Sequence, residues 1–326
     1  MGEFSRILCI HALFRRTWEV ESYFKQPLTL WKPTAEKQDI STVSSSTPIW
    51  LPGIPTYAKW RNSACDCLDI LHWHANSVIG AASGMEHPTV LHLHLARIIL
   101  LTPYQKIMHL AMLLTSDPTT TSKSQHKQLI SKTKQHIKRW VLEDQHKARL
   151  AMIHAGVLFW HVRHYSTDAF YEPSSVFLAT LALWAYGTFA AHTSPLRPQT
   201  LSQPQSNLLD QAQNAETPQT SPSIYTTNPD PDPDEDADAD SLFPTSMQLD
   251  RPADDELVQL FVKRGASMRA NITGVGNLCS VKGPVRILGE GRNLLAGLRA
   301  WGDRRRAVGV LGGLIEVCRS EGYVRN

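Results

Sequence analysis

Apolar residues recur at helical spacing along most of the chain, and polar, proline-bearing stretches interrupt them. Residues 2–24 predict a helix whose stripe is Ile7, Ile10, Phe14 and Trp18. Gln26–Thr56 predicts a loop, with Pro27, Pro33, Pro48, Pro52 and Pro55 and a Ser/Thr-rich run at 41–47. Tyr57–Ser83 returns to helix, with Leu68, Leu71, Ala75, Val78 and Ala82 inward. Gly84 can end that helix, and Pro88 suits the first turn of the next, where its missing N–H costs nothing. In this next run Leu91-His92-Leu93-His94-Leu95 alternates as a half-buried strand would. Helix is the better reading, because the run continues to Leu101 without a turn signal and stops just before Pro103.

Tyr104–Ser116 predicts a short helix with Ile107, Leu110, Ala111 and Leu114 buried. Ser122–Tyr165 predicts one long helix or two nearly collinear ones, striped by Ile130, Ile137, Val141, Ala148, Ala155, Phe159 and Val162. Pro173 opens another helix, to about His192. Its run Val176–Ala191 is uncharged, but shorter than the roughly 20 residues a membrane span needs and without basic anchors at its flanks. It reads as a core helix, and no membrane partner is expected. Between 194 and 250 the pattern disappears into Pro, Gln, Ser and Thr and then NPDPDPDEDADAD. Such a segment lacks the apolar surface to offset roughly 1–2 kcal/mol of backbone entropy per residue, so disorder is expected. Asp254–Met268 predicts a helix, Gly274–Gly291 a glycine-punctuated loop, and Asn293–Trp301 and Arg304–Ser320 two short helices. The fold class is therefore all-α: helices over 1–193, a disordered acidic and Pro-rich insertion over 194–250, and helices over 251–326 that complete the domain.

Charge adds its distribution more than its sum. The net charge of +3 is too small to imply nucleic-acid binding by the whole chain. Yet Lys123, Lys127, Lys132, Lys134, Lys138 and Arg139 crowd one half-helix, spread around it by sequence and suited to a solvated surface. Arg304-Arg305-Arg306 adds a short cluster at a helix start. The five cysteines (Cys9, Cys65, Cys67, Cys279 and Cys318) are odd in number and sit in apolar surroundings, the usage of a reducing compartment. MGEFSRILCIHALFRR lacks a signal-peptide layout, and Arg6 occupies the slot where a myristoylated chain carries Ser or Thr.

Candidate chemistry centres on histidine. Cys65-x-Cys67, His72-x-His74 and His92-x-His94 invite a zinc reading. A zinc finger places about twelve residues between its pairs, whereas four separate Cys67 from His72. Residues two apart on a helix also point about 200° apart. His161 and His164 share a face without an accompanying Glu motif. Packed histidines are the better reading, and no metal ligand or cofactor is assigned. Gly274-Val275-Gly276-Asn277-Leu278-Cys279 opens like a dinucleotide fingerprint but lacks its third glycine. Ser174, Asp168 and His164 lie near one another in sequence with nothing to activate the serine, so no catalytic residue is assigned and the chain is not read as an enzyme. A helical metalloenzyme using the histidines, or a membrane-associated helical protein, are the alternatives.

Four stretches carry a resemblance: ALFRRTWEVESYFKQPLTLW, HWHANSVIGAASGMEHPTVLHLHLARIILLTPY, HAGVLFWHVRHYSTDAFYEPSSVFLATLALWAYG and LDRPADDELVQLFVKRGASMRANITGVGNLCS. In this order they resemble the regulatory region, the middle homology region, of fungal-specific transcription factors whose DNA reader is a pair of Cys2His2 zinc fingers. The resemblance implies an all-helical regulatory domain in the nucleus, with other transcription-regulatory proteins, and a homodimer, among its partners. DNA would be reached only through the fingers, the one place the family holds zinc. This sequence carries no such fingers, nor the six cysteines of a binuclear cluster. Because Met1 already falls inside a family-like helix, the expectation is a chain beginning downstream of its fingers.

Overall fold

The computed structural model describes residues 2–24, 49–81, 88–116, 123–190, 245–251, 253–299 and 304–323. Its helices are α1 (Glu3–Phe24), α2 (Pro55–Ala81), α3 (Pro88–Leu101), α4 (Tyr104–Thr115), α5 (Lys123–Glu143), α6 (Gln145–Tyr165), α7 (Glu172–Ala190), α8 (Asp255–Arg264), α9 (Gly283–Gly297) and α10 (Arg304–Tyr323). The chain is all-α, with one minor sheet of three very short strands. Residues 194–244, most of the expected disordered insertion, lie outside the described residues, as do Gly84 and most of the loop expected over 26–56.

The organising element is α3. All its residues except Pro88 and Ile99 are buried. That explains the alternating Leu-His pattern: a helix enclosed on every side needs no polar face, so its sequence shows no helical period. Leu93, Ala96 and Leu100 pack with Ile10 of α1 and with Ala64, Leu68 and Ala75 of α2. Leu91, Leu95, Ile98 and Leu101 face the larger core shared with α4 to α10. At Asp144 the predicted long helix divides into α5 and α6. The α5 side is pinned by Trp140, whose Nε1–H donates to the Leu101 carbonyl at 2.9 Å.

Several expectations are corrected. On α1 the buried face is Arg6, Ile10 and Thr17, while Trp18 is 60% exposed. On α2, Val78 is exposed and Leu71 half-buried, so the working stripe runs through Ala64, Leu68 and Ala75. Thr245–Asp250, assigned by composition to the insertion, belongs to the core. There β1 (Ser246–Gln248) pairs in parallel with β2 (Arg269–Ile272), and Met247, Leu249 and Asp250 are buried. The glycine-punctuated loop over 274–291 is a hairpin followed by α9. β2 pairs antiparallel with β3 (Gly276–Asn277), and Gly274 and Gly276 take the positive φ of +82° and +75° that the turn requires. These glycines make a turn, with no helix N-terminus presented to a pyrophosphate. Gly291 is a close-approach glycine, because a Cβ there would lie 2.2 Å from Thr180 Oγ1 on α7.

No single described helix is long and apolar enough to cross a membrane. α3 and α4 pass that test jointly, but they bend by 81° and α3 is buried.

Candidate functional site

Three polar constellations interrupt the core, and the first is the histidines. α3 carries His92 and His94 on different sides, each meeting a histidine of another helix. His94 Nδ1 lies 3.0 Å from Nδ1 of His154 on α6. On its other side the His72 ring of α2 stands edge-on at 5.2 Å between centroids. Arg97 Nη1 donates to His72 Nδ1 at 3.2 Å, and its Nη2 to Asp69. His92 contacts His11 of α1 at 5.1 Å and Tyr171 at 4.3 Å. Desolvation dominates their titration. It lowers His72, His92 and His161 to about 4 and holds His94 and His154 well below the usual histidine range. The Arg97 guanidinium adds to the depression at His72, His94 and His154. These histidines are neutral at pH 7 and serve as packing and hydrogen-bonding groups.

The pairs singled out by spacing are split by their helices. His74 and Cys67 are exposed where His72 and Cys65 are half-buried. His161 is buried, whereas His164 is exposed and its Nδ1–H donates to the Trp160 carbonyl at 2.8 Å. Among the described residues no three His, Cys, Asp or Glu side chains are grouped as a metal ion needs. The sequence reading missed His154, which sits 60 residues from its partner. Nothing local marks it, since its alignment with His94 is created only by the packing of α6 on α3. Ser174, Asp168 and His164 form no relay: Asp168 accepts from the Arg299 backbone N–H at 2.7 Å, and His164 is spent on Trp160.

The second constellation lines a cavity of about 300 Å³ beside α2, α4 and α5. Trp50, Tyr57 and Trp140 supply aromatic walls, and Arg61, Lys106 and His136 the basic groups. Arg61 is tied to Asp144 through both terminal nitrogens, at 2.6 and 3.0 Å. The pair is nearly buried, with side-chain exposures of 7% and 12%. Trp50 is fixed from outside by the Arg139 guanidinium, 4.5 Å above its ring. Burial pushes the Tyr57 hydroxyl up to about 12. A second cavity, about 240 Å³, is walled by Met108, Met112, Phe177, Leu178, Ala307 and Val310.

The third is a staple. Arg163 of α6 reaches Asp250 beyond β1, Glu290 of α9 at 2.8 Å and the Thr273 carbonyl at 3.1 Å. Asp250 also accepts from the Thr273 backbone N–H and from Gln248. Both Asp250 oxygens are engaged in holding strands to helices, and Glu290 Oε1 joins them through Arg163.

The cations of α5 divide between two flanks of the helix. The buried side is Thr133, Ile137, Trp140 and Val141. At ~100° per residue, Lys123, Lys127, Lys134 and Lys138 fall within about 60° of one another on a flank of that side. Lys132 and Arg139 lie on the opposite flank, where Arg139 pairs with Glu143. No family model, curated protein or solved structure matches the chain.

Proposed function

We propose that the chain is the regulatory domain of a nuclear transcription regulator, with sequence-specific reading left to a separate DNA-binding module. The observation that carries the reading is where the four family-like stretches fall. Within the described residues they correspond to the second half of α1, to the end of α2 with α3, to the end of α6 with most of α7, and to the segment through α8, β2 and β3. Far apart in sequence, they pack against one another: α1 and α6 on α3, α7 and α8 on α6. A shared core of this kind is what a common regulatory domain requires.

Tethering tests it. Residues 1–326 fused to an unrelated DNA-binding domain should raise or lower a reporter relative to that domain alone. The effect should vanish with Leu93→Asp, which puts a charge where exposure is 0%. A reporter indifferent to the fusion, with the fusion shown to be folded and nuclear, would sink the proposal.

A further inference from the structure

The lysine flank of α5 points to a partner that the regulatory reading does not require. Lys123, Lys127 and Lys138 are exposed, Lys134 is half-buried, and no acidic residue occurs in the helix before Glu143. Among the described residues no ion pair neutralises Lys123, Lys127 or Lys138. Lys127 and Lys138 lie about 16 Å apart along the axis at ~1.5 Å per residue, with Lys123 one turn beyond Lys127. Between and beside them the exposed residues are Gln128, Ser131 and Gln135. Amide and hydroxyl donors beside point charges are the side chains that contact phosphate oxygens and sugars.

We propose that this face of α5 docks on the phosphate backbone of duplex DNA without sequence preference. Charge complementarity is the argument, and the spacing selects the form of the anion. Exposed lysines about 16 Å apart along one flank are spaced to reach the two rims of a B-form major groove about 12 Å wide. The deep, narrow major groove of A-form RNA offers no such pair of rims. Single strands are disfavoured, because the flank carries no aromatic ring on which bases could stack. An acidic protein segment would be served by the charges but would leave the Ser and Gln donors competing with water.

The contact is independent of the regulatory reading, which tethering tests without it. The experiment is a fluorescence-anisotropy titration of residues 1–326 against random-sequence DNA duplex from about 50 to 200 mM salt. Contacts from the three exposed lysines, Lys123, Lys127 and Lys138, give a slope of log K against log salt of about −2.7. Lys123→Gln/Lys127→Gln/Lys138→Gln should bring the slope close to zero, since each phosphate contact accounts for roughly one unit. Lys59→Gln/Lys263→Gln/Lys282→Gln removes equal charge from exposed sites elsewhere and should leave the slope nearly unchanged. Circular dichroism checks that both triple variants remain folded. Absence of binding at the lowest salt would overturn the proposal and show a solvated face. So would equal losses in the two triple variants, or tighter binding to duplex RNA or poly-glutamate than to DNA.

Discussion

His94 and His154 face each other through their Nδ1 atoms at 3.0 Å, joining α3 to α6 by a hydrogen bond between two neutral rings. One ring must donate and the other accept, so the contact fixes opposite tautomers on the two histidines. A proton added to the acceptor removes the lone pair that makes the bond, and it does so beside Arg97, which already opposes positive charge there. The join between the central helix and α6 is therefore sensitive to acid.

The first prediction concerns pH. The unfolded chain binds protons on its histidines near pH 6.5, whereas burial lowers His72, His92 and His161 to about 4 in the folded chain. Between these values the unfolded state holds more protons, so stability falls as pH falls, and above the unfolded value these groups contribute no slope. Urea unfolding at a series of pH values should show a midpoint nearly level from neutrality to about pH 6.5 and declining below it toward about pH 4. His92→Phe should soften the decline, because one depressed group is gone. A midpoint that stays level down to pH 4 would contradict the buried, neutral assignment.

A second prediction isolates Arg61 and Asp144. Removing one partner of a nearly buried pair leaves the other charge without compensation, at a cost of about 3–5 kcal/mol. Arg61→Ala should therefore destabilise strongly, and Arg61→Met/Asp144→Leu should destabilise less than the single change. A double variant worse than Arg61→Ala would mean that the pair is not the source of the loss. Chemical denaturation of the three proteins decides it.

Glycines in α9 give the third. A Cβ on Gly291 would strike Thr180, whereas nothing lies within 4 Å of one on Gly289. Overpacking costs about 1–3 kcal/mol, so Gly291→Ala should lower the unfolding midpoint. Gly289→Ala should hold or raise it, by up to about 1 kcal/mol from helix propensity. Equal effects at the two positions would show that α9 does not pack on α7 as described.

That pair also shows what the sequence could and could not disclose. The helices α1 through α7 are legible because their apolar positions recur at helical spacing or their ends carry Pro and Gly signals. Only the end of α9 is, through the helix expected over 293–301, because Gly283, Gly289 and Gly291 look like loop residues until Thr180 is seen against Gly291. The strand at Met247 hides beside an acidic, Pro-rich stretch, and three residues are too few to show a period of two. Trp18 and Ile10 exchange emphasis for a related reason. Spacing reveals that α1 has a stripe, but its contact with α3 decides which flank is covered. For the candidate site, the histidines of α3 could be noticed in sequence and the shared flank of four α5 lysines follows from helical spacing, whereas the partner His154 required the packing.

The last prediction concerns metal. Two imidazole nitrogens 3.0 Å apart could in principle share an ion, so His94 and His154 are the strongest case for zinc in the described residues. The surroundings argue the other way. The next nearest ring, His72, turns its Nδ1 to the Arg97 guanidinium, and that fixed cation would sit beside any ion placed there. Cys65 is half-buried, with burial pushing its thiol up and away from the thiolate that binds zinc. Cys67 and His74 face solvent on the same helix. The purified chain should therefore carry far less than one equivalent of metal by elemental analysis, and its melting temperature should be unmoved by a chelator or by equimolar zinc. A ligand that binds only the folded state raises stability by RT ln(1 + [L]/Kd), so a tight site would be evident in the same scan. Stoichiometric zinc with a raised melting temperature, both abolished by His154→Ala, would convert the histidine pair from a hydrogen bond into a metal centre.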